Sequence, residues 1–236
     1  MYLLLAIAIL SIFCIRNSLS SELECGTVTL DGLTWDYFDP ANHRATSGVP
    51  KGHVKLVENV HLTPKMNSLD TGNTGSGITG FLADLDYVLR RLPNNPKALD
   101  MASRFQHLHG DELHRLGKFD PSFTRSAECY FERALQLTPS NPTVHMLYGI
   151  HMHRSKKYSD AIGKYKIAES FSKENSAELD YNIALSYFEL KQFELANQYA
   201  ASAYKKGYPL PGLKENLKKI GKWNDDLDTT TTKQEQ

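Results

Sequence analysis

An excess of charge of either sign is missing from this chain. Its 27 lysines and arginines are matched by 27 aspartates and glutamates, so no overall field draws it to nucleic acid or to an anionic membrane surface. Long hydrophobic runs are missing as well. The apolar stretch from Met1 to Ile15 ends at Arg16, short of the ~20 residues that span a bilayer as a helix. Catalytic signatures are absent: there is no Gly-x-Ser-x-Gly turn and no Lys-Ser/Thr to complete a P-loop. The nine histidines include no pair at i, i+4, the spacing that puts two imidazoles on one helical face. His107, His109 and His114 form one group and His145, His151 and His153 another, so only convergence of separate segments would make a metal site. The sequence therefore predicts no enzyme activity, no cofactor and no metal.

Gly75-Ser76-Gly77-Ile78-Thr79-Gly80 fits G-x-G-x-x-G. A dinucleotide site needs a buried strand leading into the first glycine. Here Asn67 to Thr74 has turn composition instead, so Thr71 to Gly80 reads as a flexible glycine-rich loop before a helix.

The opening apolar run, followed by the small-x-small pattern Ser18-Leu19-Ser20, predicts a secretory signal peptide over residues 1–20. No Lys or Arg precedes the run, which leaves an uncleaved membrane anchor open, the one case in which membrane contact is expected. No small residue precedes Cys14 or Cys25 as a lipoprotein signal requires. Export places the chain in a periplasm or outside the cell, and loss of residues 1–20 leaves two cysteines, Cys25 and Cys129. One bridge between them is expected in an oxidising compartment, closing a loop worth ~4–5 kcal/mol in the chain-entropy model. The alternative is a buried free Cys129 and an exposed Cys25.

What the chain does have is a repeat. Ala127/Phe131/Ala134, Ala161/Tyr165/Ala168 and Ala196/Ala200/Ala203 recur at separations of 34 and 35 residues. A small residue with an aromatic one turn later gives a helix a profile that interlocks with its neighbour. The preceding helices supply the counterparts: Tyr148-Gly149 and Met152 in one unit, Ile183-Ala184 and Tyr187 in the next. Prolines in Pro93-Asn94-Asn95-Pro96 and Pro139-Ser140-Asn141-Pro142 punctuate the joins. The period predicts stacked helical hairpins.

These residues resemble the tetratricopeptide repeat (TPR), a 34-residue helix-turn-helix, in units beginning at Pro142 and Ala177. A further unit from Pro96 carries about a dozen extra residues around Gly110 to Ser122, and Phe81, Leu85 and Val88 mark an incomplete fourth. Cys25-Gly26, Val57 to Pro64, Glu128 to Phe131 and Gly207 to Leu213 are similar to exported bacterial TPR proteins of unassigned activity. The expected fold is all-α, an α-α superhelix over residues 81–208. An irregular extension over 21–80 precedes it. A capping helix over 209–223 presents Leu213, Leu217 and Ile220 to the last repeat, with Trp223 folded back, and 224–236 is a polar, disordered tail. Val54 to Leu62 reads equally as strand or helix, and Thr63-Pro64 as the start of a short helix.

The resemblance implies a concave groove lined by the first helix of each hairpin. It assigns Arg104, Met146, Ile150, Arg154, Tyr181, Leu185 and Phe188 to that groove as a protein- or peptide-binding strip. Asp100, Arg104, Leu147, Glu178 and Asn182 stand where chaperone-tail binders of the family carry Lys, Asn and Arg, which disfavours acidic tails. Three functions remain open: a non-enzymatic exported scaffold binding a protein partner; a structural subunit whose groove is plugged by residues 30–70, with Trp35 and Phe38; and a metal- or ligand-binding accessory protein.

Overall fold

The computed structural model describes residues 25–28, 33–49, 51–69, 75–115 and 125–224. They fall into two compact units, Met1–Pro139 and Ser140–Gln236. Among the described residues the fold is all-α: adjacent helices pack in pairs, and Thr46–Val49 is an isolated bridge with no strand around it.

In the first unit a 3-10 turn, Pro40–His43, is capped by the Asp39 carboxylate. Helix α1 (His53–His61) and the short α2 (Pro64–Asn67) come next, with the Thr63 hydroxyl accepting the Met66 N–H at 3.4 Å. Val54 to His61 is thus helix, not strand. Val54, Val57 and Leu62 are buried while Leu56 and Val60 remain 49% and 59% exposed, a division that helical spacing gives and alternation does not. Helix α3 (Gly75–Arg91) begins in the glycine tract. This corrects the loop expected over Thr71 to Gly80: helix reaches back to Gly75, carrying Ile78 into the core beside Phe81, Leu82 and Leu85, while residues 71–74 lie outside the described set. Residues 21–80 accordingly hold more helix than an irregular extension would.

Helix α4 (Pro96–Arg115) passes straight through Gly110, so the insertion expected from Gly110 is helical as far as Arg115, and residues 116–124 lie outside the described set. Helix α5 (Ala127–Leu137) is N-capped by Ser126. Phe81 of α3 and Phe105 of α4 stack at 4.2 Å, and Ala127, Phe131 and Ala134 are buried on α5.

Asn94 and Asn95, both without exposed surface, organise this unit. The Asn95 side chain caps α4 by accepting the Ala98 N–H at 2.9 Å and donates to Glu58 of α1. Asn94 donates to Asp36 at 2.7 Å and accepts the Tyr37 N–H. Buried amides satisfied in this way fix one arrangement, because any other leaves them unpaired in a dry interior. The Trp35 N–H donates to the Arg91 carbonyl at 2.7 Å, closing an otherwise orphaned end of α3.

Cys25 and Cys129 stand at disulfide-bonding distance, 4.9 Å apart at Cα, and straps of hydrogen bonds hold residues 25–28 along α5. Arg133 donates to the Thr27 carbonyl at 2.8 Å, Arg125 to that of Cys25 at 3.2 Å, and Val28 N–H to Gln136 at 2.9 Å. Asp86 of α3 receives Arg90, Arg125 and the Tyr130 hydroxyl. Burial, with Arg125 nearby, lowers the pKa of Arg133.

In the second unit α6 (Pro142–Arg154) pairs with α7 (Tyr158–Phe171), and α8 (Ala177–Glu189) with α9 (Phe193–Lys205). Asn141 and Ser176 cap the first helix of each hairpin. The small residues singled out in the sequence, Ala161, Ala168, Ala184, Ala196, Ala200 and Ala203, have no exposed surface. Each hairpin turns through one left-handed lysine, Lys156 (φ 59°) and Lys191 (φ 60°). The turn closes with the same two bonds: Lys156 to the His153 carbonyl and Lys157 to that of Met152, Lys191 to Phe188 and Gln192 to Tyr187.

Helix α10 (Gly212–Lys219) buries Leu213 and Leu217. Ile220 departs from the expected stripe, being 46% exposed. The helix stops at Lys219, and Gly221 (φ 66°) turns the chain back so that Trp223 meets Tyr204 edge-on at 6.1 Å. The Asn197 side chain clamps this return, bonding the Lys222 carbonyl and accepting the Asn224 N–H. Residues 225–236 lie outside the described set.

Candidate functional site

The residues assigned to a groove divide into three groups. Arg104, on α4 in the first unit, is half-exposed and ion-paired with Asp100 at 2.8 Å. Met146, Ile150 and Arg154 lie at i, i+4 and i+8 along α6, all partly exposed, so they share a face. Thr143, Met146 and Leu179 line a depression of about 150 Å³ at the start of that face. At its far end His153 Nδ1 meets the Ser186 hydroxyl at 2.8 Å, tying α6 to α8, and burial lowers the imidazole pKa.

The third group is corrected by the structure. Tyr181 is only 7% exposed and stacks on Tyr208 at 4.0 Å. With Ala184, Leu213 and Leu217 it forms the core under α10, against which Leu185 and Phe188 also pack. Tyr181 and Ala184 are therefore sealed by the C-terminal segment, while Leu185 and Phe188 pack at its edge and stay partly exposed. Repeat position alone suggested a groove because it carries no information about the path of the chain beyond the last hairpin. Tyr204 and Tyr208 are the partners that repeat spacing does not reveal. Burial pushes the Tyr204 phenol up to about 12.

Trp35 and Phe38, the side chains named for a plug from residues 30–70, are engaged within the first unit. Trp35 stacks on His53 at 4.2 Å, and Phe38 lies edge-on to Tyr37. The histidines are dispersed: His109 lies by Phe105, His145 by Phe171 and His151 by Tyr148. Among the described residues no three His, Cys, Asp or Glu side chains gather as metal ligands would.

A second feature, lined by α7, α8, α9 and the connection between α7 and α8, is a polar cavity of about 390 Å³. At its floor the buried Asp180 carboxylate accepts from Ser202 Oγ at 2.6 Å, Lys206 Nζ at 2.8 Å and Asn175 Nδ2 at 2.8 Å. Asn175 donates on to Glu169 at 2.8 Å, which receives Lys166 at 2.7 Å. The Tyr199 hydroxyl joins both Lys166 and Glu169. Burial opposes the charge on Lys166, but hydrogen bonds to Glu169 and Tyr199 outweigh it and raise its pKa. Burial likewise acts against the Glu169 carboxylate, and the bonds from Lys166 and Asn175 outweigh it and lower its pKa. The cavity wall therefore carries two lysines and two acidic side chains, paired as Lys166 with Glu169 and Lys206 with Asp180.

No protein-family model matches the chain, and neither a curated protein nor a solved structure matches it. Among the described residues no helix is long and apolar enough to cross a membrane; the segment Met1 to Ile15 lies outside them. A cysteine pair at disulfide distance is compatible with an oxidising, exported location.

Proposed function

We propose that this chain is a non-enzymatic, exported scaffold of the tetratricopeptide-repeat kind, binding a protein or peptide through the α6 face that carries Met146, Ile150 and Arg154. One observation carries the reading. Gly149 of α6 accepts the ring of Tyr165 of α7 against its backbone, with no room for a Cβ, the small-against-large nesting that stacked hairpins require. Both hairpins of the second unit also turn through the same left-handed geometry. A half-exposed apolar pair beside a guanidinium suits a peptide with one hydrophobic anchor and one acidic group. Neither nucleic acid nor a cofactor enters this reading.

The test is affinity capture from the native envelope and secreted fraction, comparing the unaltered chain with a Met146→Ala/Ile150→Ala/Arg154→Glu variant. Loss of a specific partner from the variant supports the α6 face. Identical capture sinks it.

A second reading, a structural subunit with its groove filled by itself, is favoured by the burial of Tyr181 against Tyr208. There the occupant is the C-terminal segment. Replacing Tyr208 with Ala would then bare Tyr181 and create capture where the unaltered chain has none.

A further inference from the structure

The cavity between α7, α8 and α9 has a chemistry that the scaffold reading does not use. No residue of α6 lines it, so a ligand there is separate from a peptide on the α6 face. Its volume, about 390 Å³, lies at the small end of ligand sites, ~300–1,000 Å³.

Its charge pattern rules out most classes of occupant. A phosphate or nucleotide would bring negative charge against Glu169 and Asp180, whose own cations are already engaged at 2.7 and 2.8 Å. A cation meets the converse obstacle in Lys166 and Lys206. An apolar ligand would strip water from this polar wall and return no hydrogen bond. What fits is a neutral molecule able to donate and accept at each position. Hydroxyl groups do this, since each can donate to a carboxylate while accepting from an ammonium or an amide.

The remaining capacity of the wall agrees. The Gln198 amide and the Tyr187 hydroxyl have no hydrogen-bond partner among the described residues, and both line the cavity. The Asn175 amide donates in two directions, leaving its carbonyl oxygen to accept. Each lysine has a further N–H beyond its two bonds. The rings of Tyr187 and Tyr199 stack on one another, 5.8 Å apart with 27° between planes, and Lys166 Nζ stands 4.7 Å over the Tyr199 ring, which holds both phenols in fixed positions at the cavity wall.

We infer that this cavity is a saccharide-binding site, in which Asn175, Gln198, Lys166, Lys206 and the Tyr187 hydroxyl bond the hydroxyls of a sugar, and the Tyr199 hydroxyl holds Lys166 and Glu169 in place for it. Glu169 and Asp180 orient those donors, and the Asp180–Ser202–Lys206 group holds the floor in place before any ligand arrives. Such preorganisation lowers the cost of ordering the site on binding.

The test is titration of the full chain with neutral hexoses, N-acetylhexosamines and their disaccharides, read by saturation-transfer NMR and calorimetry. Hexose phosphates and a short neutral peptide serve as competing classes. Saturable binding of a neutral saccharide is expected, weakened about tenfold by Gln198→Ala and by Tyr199→Phe, and unchanged by Met146→Ala. Gln198 is exposed, so its loss leaves the fold intact and keeps the outcome readable. Absence of any saccharide binding, preference for the phosphates or the peptide, or binding indifferent to both variants would each overturn the assignment. None of these results touches the α6 reading, whose own variant is tested separately.

Discussion

Gly149 and Tyr165 are in such close apposition that a Cβ built on Gly149 would lie 2.3 Å from Tyr165 Cε1. Tyr165 itself has no exposed surface, so its ring has nowhere to retreat. Burial also raises the pKa of its hydroxyl.

Gly149→Ala should therefore destabilise the second unit. Helix propensity alone favours alanine by ~1 kcal/mol, and overpacking of a filled core costs ~1–3 kcal/mol. A net loss is expected in urea unfolding, and a smaller one when Tyr165→Leu is already present. A neutral or stabilising Gly149→Ala would mean that the two helices do not nest.

Lys156→Gly and Lys191→Gly should act in the opposite direction. A left-handed non-glycine residue carries a penalty of ~1–2 kcal/mol, and glycine removes it while adding freedom to the unfolded chain. A gain of ~0.5–1 kcal/mol at each turn is expected from denaturation midpoints. Because the lysines occupy equivalent turns in successive hairpins, the two gains should be similar.

His153 gives the second unit an acid-sensitive clasp. Burial lowers its pKa from 6.5, so the unfolded chain takes up a proton first as pH falls. The stability this group contributes is present above pH 6.5 and is lost as pH drops through the lower folded value. Unfolding midpoints compared at about pH 7.5 and 5 should differ less in His153→Asn than in the unaltered protein. An equal difference in both would remove His153 from the account.

Replacing Cys25 and Cys129 with serine should cost the first unit ~4–5 kcal/mol, the chain-entropy value for a loop of this length. Thiol titration of the folded protein should find both cysteines unreactive. Two titratable thiols at these positions, with an unchanged unfolding midpoint, would contradict the bridge.

Much of the helical core was legible in the sequence because alanine and glycine spacing encodes helix contact directly. Ala161, Tyr165 and Ala168 are on one face whatever surrounds them, and Pro142 and Ala177 begin helices where the repeat units were expected to start. The pairing of Cys25 with Cys129 rested on there being two cysteines left after export. Less was legible where a residue's role depends on distant chain. Tyr181 carries the same helical spacing whether it faces solvent or Tyr208, and only the path taken by residues 206–223 decides. Val54 to Leu62 was ambiguous for a related reason: its apolar positions satisfy two periods, and Asn95 reaching Glu58 belongs to neither. The cavity beside Asp180 was illegible altogether, since Lys166, Asn175, Asp180 and Lys206 share no motif and meet only when three helices converge.

The link from Cys25 to Cys129, 104 residues apart in sequence, also decides how the chain responds to pulling. Tension applied at its two ends would pass from one sulfur to the other and leave everything between them slack. About 350 Å of potential extension is thereby withheld until the bond is reduced. Under oxidising conditions the first unit would lengthen hardly at all, and a force-extension trace would gain that length in one step after a reductant is added.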